Sequence, residues 1–117
     1  MNTIMTGADF PMTLTLLNDD GTAININNLN TLQILVYQKK EQVIQSWNLD
    51  AGVTVVSASE GKVSVILDRT NTQGLVEKPM YMEVLYGVVN SDAVDGELIV
   101  ASAPKLIANV VNSAIND

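Results

Sequence analysis

Asn90, Asp92, Asp95 and Glu97 crowd into one short stretch, and oxygen donors at such alternating spacing are what a calcium ion takes. The match fails in detail, because Val94 stands where a ligand is needed and Gly96 is misplaced for the loop's sharp turn. The ordinary reading is a solvated hairpin tip, and Asp19 and Asp20 likewise read as turn formers rather than ligands. Ser57, Ser59 and Glu60 have no histidine to pair with; a serine nucleophile served by Lys62 or Lys105 has the right residue types but no flanking motif. Gly61-Lys62 lacks the upstream glycine of a phosphate-binding loop, and Val63 takes the place of its hydroxyl residue. Glu77 and Glu83 are the carboxylate pair a glycosidase needs, although two carboxylates near a strand are usually surface charges. Tyr37, Trp47, Tyr81 and Tyr86 could supply the rings of a carbohydrate platform; in a chain only 4% aromatic, core or interface anchoring is the commoner use.

The chain has no histidine and no cysteine. Histidine is the commonest general base and metal ligand, so its absence removes most acid–base and zinc chemistry. Without cysteine there is no disulfide and no thiolate nucleophile, and the compartment is left open. We therefore expect no enzyme activity, no metal and no cofactor. The net charge of −7, from 13 acidic and 6 basic residues, repels a phosphate backbone, so no nucleic-acid partner is expected. No apolar run reaches the ~18 residues of a membrane span, so no membrane association is expected either. Charged residues are 16% of the chain, well under the roughly 25% usual for soluble domains. Buried interfaces are depleted in Lys, Glu and Asp, and the low charge agrees with a surface that sits against other chains. Exposed strand faces dressed in Thr, Ser and Asn give the same composition.

The 117 residues suffice for one two-layer core, so residues 1–117 are expected to form a single domain. The start at Met1 reads as the start of a small complete protein, and the first residues lack the basic and apolar regions of a secretory signal. The elements are strands punctuated by turns. Met12, Leu14 and Leu16 alternate with Thr13 and Thr15, the period-2 pattern of a half-buried strand over Phe10 to Leu17. Asn18-Asp19-Asp20-Gly21 is turn chemistry. Further strands are expected over Thr3–Met5, Leu32–Gln38, Val43–Leu49, Val53–Ser57, Lys62–Asp68, Met80–Val89, Glu97–Ser102 and Lys105–Val111. Ile24 to Leu29 reads as an irregular return with two inward apolar residues, and Arg69 to Leu75 as one helical turn with a Thr or Asn cap. Val43, Gln45, Trp47 and Leu49 should share a face. A bulge or strand switch is expected at Pro104, and Leu106 to Ile115 can also be drawn as an amphipathic helix. About seven to nine short strands make an antiparallel all-β sandwich. With no Cys-Trp-Cys signature, its stability falls to an apolar core drawn from fifteen Val and nine Ile.

Gly7-Ala8-Asp9-Phe10-Pro11 through Asp20-Gly21-Thr22 resembles the first strand and turn of the upper-baseplate-protein N-terminal domain family, small immunoglobulin-like domains of phage virions. Leu32 to Tyr37 is similar to that family's third element. Asp68-Arg69-Thr70 through Gly74-Leu75, then Met80-Tyr81-Met82-Glu83-Val84, is similar to its strand, helical turn and Tyr-containing strand. At Pro79-Met80 the chain departs from the Gly the family often carries. The resemblance implies an antiparallel immunoglobulin-like sandwich and a structural role in the virion, assembled in the host cytoplasm. It implies an adaptor, fibre anchor or decoration contacting tail, baseplate, fibre or capsid proteins and forming a homo-oligomer. A carbohydrate-binding module is the reading from another class. Candidate contact residues are Met1, Ile4 and Met5 at the start, Tyr37 and Trp47 around the central hairpin, and Val111 and Ile115 near the end.

Overall fold

Alternation of apolar and polar residues cuts the chain into β1 (Asn2–Met5), β2 (Phe10–Thr15), β3 (Leu29–Tyr37), β4 (Val43–Asn48), β5 (Thr54–Ser57), β6 (Lys62–Leu67), β7 (Pro79–Val89), β8 (Glu97–Ala101) and β9 (Lys105–Val111). The computed structural model describes residues 2–18, 20–102 and 105–111. The predicted helical turn is α1 (Arg69–Thr72); Asp68 stands at its N-cap and makes no side-chain cap bond, so neither Thr nor Asn caps it. Lys105 to Val111 is strand rather than helix, and the expected break at Pro104 lies outside the described residues. Among the described residues no helix is long and apolar enough to cross a membrane.

The larger sheet runs β1-β9-β7-β3-β4 with β8 joined to β7, and the smaller sheet runs β2-β6-β5. β1 lies parallel to β9, so the fold is all-β with one mixed sheet where the sequence predicts a purely antiparallel pattern. β3 takes one edge of β7 from Tyr81 to Val88. On the other edge β9 pairs with Pro79 to Met82, and β8 continues from Leu85 to Val89.

Period-2 burial holds wherever one face meets the opposite sheet. β6 buries Val63, Val65 and Leu67, while Ile66 is 53% exposed. They meet Leu32, Ile34 and Val36 of β3, Met80 and Met82 of β7, and Ile4 of β1 in one core. The predicted face of β4 is corrected. The β3–β4 register shifts between Val36 and Tyr37, so Val43 opposes Tyr37 while Gln45 opposes Val36 and Trp47 opposes Ile34. The extra residue of a bulge moves every side chain beyond it to the other face. Val43 is therefore 51% exposed, and Trp47 is 4% exposed in the core.

Two sets of polar ties hold the layers together. The Ile66 carbonyl accepts from Trp47 Nε1 at 3.2 Å and from Gln45 Nε2 at 3.2 Å. The buried Thr72 hydroxyl donates to the Ala8 carbonyl at 2.9 Å and accepts the Gly7 amide at 3.0 Å, anchoring the crossover from β1 to β2. Asp9 accepts the Arg69 amide at 2.7 Å and its guanidinium at 3.0 Å. These bonds hold the Asp9 carboxyl below its ordinary pKa.

Two glycines separate backbone strain from lack of space. Gly21 and Gly61 both have φ in the left-handed region, at +87° and +69°. A Cβ on Gly21 meets nothing within 4 Å, whereas one on Gly61 falls 2.6 Å from the Leu16 carbonyl oxygen and 2.8 Å from that of Ile24. In urea unfolding, Gly21→Ala is expected to cost about 1–2 kcal/mol. Gly61→Ala is expected to cost about 2–5 kcal/mol, because backbone must also move.

Candidate interaction surface

Among the described residues β2 has a strand neighbour on one side only. Leu16 donates to the Gly61 carbonyl at 2.8 Å, and Phe10 to Thr15 pair with Leu67 to Lys62 without a register break. Bonding direction alternates along an antiparallel ladder, so Phe10, Met12 and Leu14 bond β6. Pro11, Thr13 and Thr15 turn their backbone groups away from β6, toward the free side. Pro11 costs the ladder nothing there, because its missing N–H faces outward.

A groove of about 580 Å³ runs beside this edge. Phe10, Met12 and Leu14 line it from β2, and Met82, Leu106 and Ile107 from the larger sheet. The β2 side chains are only half-buried because, among the described residues, no strand covers this flank. Among the described lining residues Lys105 alone is charged. A strip of unpaired amides and carbonyls over an apolar floor is suited to receiving an extended segment.

The residues predicted to make contacts scatter. Met5 and Val111 are register partners at the β1–β9 edge, 41% and 42% exposed. Met1 and Ile115 lie outside the described residues. Ile4, Tyr37 and Trp47 are corrected as surface anchors, since they are 0%, 6% and 4% exposed. Ile4 pairs with Val110 inside the core. Tyr37 lies on the other face of the large sheet, stacked on Tyr81 with ring centroids 6.0 Å apart. Trp47 and the Tyr37–Tyr81 pair thus occupy opposite faces, and the four aromatics do not form one platform. The groove residues were missed, although Pro11 inside a strand pattern is the mark of an edge strand.

The chemical constellations resolve into local structure. Asn90 Oδ1 accepts the Asp92 amide at 2.9 Å, an Asx turn, and Glu97 accepts the Thr31 hydroxyl at 3.3 Å. Among the described residues no group of three or more acidic side chains could hold a metal ion. Glu60 and Lys62 form an exposed ion pair at 3.1 Å. Asp20 accepts the Thr22 hydroxyl at 2.6 Å and its amide at 2.9 Å, and these bonds lower its pKa.

Tyr37 donates a hydrogen bond to Glu83, and this bond, with burial and the Glu83 charge, pushes its phenol up to about 12. The folded state keeps the Tyr37 proton where the unfolded chain loses it. Its contribution to stability is therefore present below the ordinary phenol pKa of 10.0 and is lost as pH rises toward about 12. Ultraviolet tyrosinate titration of the folded protein should show the Tyr37 phenol ionising late, and Tyr37→Phe should remove that step.

No known protein family matches this sequence, and no curated protein matches it.

Proposed function

We propose that this chain is a phage virion assembly protein, an adaptor, fibre anchor or decoration that works through protein–protein contacts. The reading starts from the resemblance of Gly7–Thr22, Leu32–Tyr37 and Asp68–Val84 to the upper-baseplate N-terminal domain family. Strand order supports the immunoglobulin-like form of the sandwich. β9-β7-β3-β4 follows the G-F-C-C′ order of a variable-type domain, and β2-β6-β5 follows B-E-D. β8 and β9 share the place of the last strand, because both run along one edge of β7.

The observation that carries the attachment role is the free β2 edge above its apolar groove. An extended segment of another virion protein pairs there with Thr13 and Thr15 and sets alternate side chains against Met82, Leu106 and Ile107. Main-chain bonds give such a contact affinity, and the groove gives it specificity. Chains that attach by adding a strand need no catalytic group.

The test is co-expression with the proteins of neighbouring reading frames, purification of any complex, and amide hydrogen exchange. A tail, baseplate, fibre or capsid protein is expected to bind and to protect the Thr13 and Thr15 amides. Thr13→Pro should abolish the complex and leave the fold intact, because that N–H bonds nothing within the chain's own ladder. A complex that leaves both amides exchanging freely would overturn strand addition. Failure of every virion protein to bind would overturn the virion role.

A further inference from the structure

The two ends of β7 carry complementary features. Where β7 begins, a groove of about 710 Å³ opens between the β3–β4 hairpin and the segment leading from α1. Lys39 and Lys78 stand on its walls, and Val43, Ile44, Leu75 and Val76 line it between them. Val43 and Val76 are 51% and 54% exposed. Glu41 and Glu77 belong to the same end of the molecule, but no carboxylate is among the described lining residues. Gln38 fixes the width of the groove. Its Nε2 donates to the Val76 and Lys78 carbonyls at 2.7 and 3.0 Å, and its Oε1 accepts the Val76 amide at 3.2 Å.

Where β7 ends, the hairpin to β8 projects the opposite character. No lysine or arginine occurs between residues 79 and 104, while Asp92 and Asp95 stand at the tip and Glu97 opens β8 at its base. Val94 is 84% exposed between the two aspartates, and Val89 is 73% exposed at its base. The tip is held by its own backbone: Asn90 donates to Gly96 at 2.9 Å, Ala93 to Asn90 at 3.1 Å, and Gly96 to Ala93 at 3.1 Å. Tip and groove are thus both preformed, so little ordering cost attends their meeting.

We propose that the Asp92–Asp95 tip of one copy docks in the Lys39–Lys78 groove of a second copy, so that the chain associates head to tail. A valine flanked by two carboxylates meets valines flanked by two ammonium groups, and both halves of the match are on the same chain. Tip and groove lie at opposite ends of an 11-residue strand, about 33 Å apart, so one copy cannot satisfy itself. The contact is heterologous: it closes into a ring if the rotation permits and otherwise continues as a filament. It does not depend on what occupies the β2 edge.

Sedimentation velocity at low and high salt is the first measurement. Oligomers are expected at low salt and should be largely lost at high salt, where the charges are screened. Two variants then test the geometry: Lys39→Glu with Lys78→Glu, and Asp92→Asn with Asp95→Asn, the tip being neutralised rather than reversed so that it cannot pair with the glutamates of the other variant. Asn at 95 suits the left-handed backbone there, where φ is +58°. Each variant alone should be a folded monomer by circular dichroism. Mixed, they should form a one-to-one dimer that grows no further, because each retains the half the other lacks. A wild-type monomer at low salt, or folded variants that fail to pair on mixing, would overturn the proposal. Oligomers that persist in each variant alone would overturn it as well.

Discussion

The hydrogen-bonding of β7 along both of its edges is the constraint from which the rest of the molecule follows. β3 occupies one edge, and β9 and then β8 occupy the other, so three strands take their register from a single 11-residue segment. One chain covers that second edge in two pieces, and Ser102 marks the join. Its amide donates to the Val84 carbonyl at 2.8 Å, while its hydroxyl, in place of its own carbonyl, accepts the Val84 amide at 2.9 Å. The side chain completes the ladder where the main chain leaves it.

The length of β7 also sets the shape. The smaller sheet has short strands of four to six residues and cannot cover an 11-residue one. Burial along the inner face of β7 accordingly fades from Met80 at 0% through Met82 at 5% to Val84 at 9%, and Tyr86 and Val88 are only half-buried. The molecule is drawn out to 52 Å along one axis against 28 and 26 Å along the others. The ties between layers are equally one-sided. Gln45 and Trp47 close the β4 side onto Ile66, and Thr72 and Asp9 close the end near α1. Among the described residues nothing comparable closes the β2 side, because β1, the strand that precedes β2, pairs with β9 in the other sheet.

The sequence was legible where a single short-range rule decides. Alternation in β3 and β6 is enforced by one dry face and one wet face, and Asp20-Gly21 and Glu60-Gly61 are turns because glycine accepts φ values other residues resist. It was illegible where distant register decides. The parallel docking of β1 on β9 leaves no local trace in a four-residue strand. Trp47 and Tyr37 illustrate the same limit, since rarity and size mark them equally as core or contact residues. What settles Trp47 is a one-residue bulge opposite Val36, a feature of pairing rather than of composition. The β2 edge was half-legible: Pro11 could place the strand at an edge, but only the topology says which flank stays open.

Charge and shape together restrict how such a molecule can meet its neighbours. At −7 overall, side-by-side copies in parallel bring two Asp92–Glu97 tips together, and the repulsion is felt within a Debye length of roughly 8–10 Å. End-to-end placement sets that acidic tip against Lys39, Lys40 and Lys78, three of the six basic residues in the chain. It also leaves the long flank clear. The β2 groove runs along that flank, with Phe10 at one end and Leu17 at the other, and shares no described lining residue with the Lys39–Lys78 groove. In an elongated sandwich with one unclosed side, the proposed contact between copies and the proposed foreign strand would use different surfaces. The elongation arises because one strand is longer than the sheet that covers it, and the unclosed side because β1 pairs in the larger sheet; the proposed attachment role would draw on both.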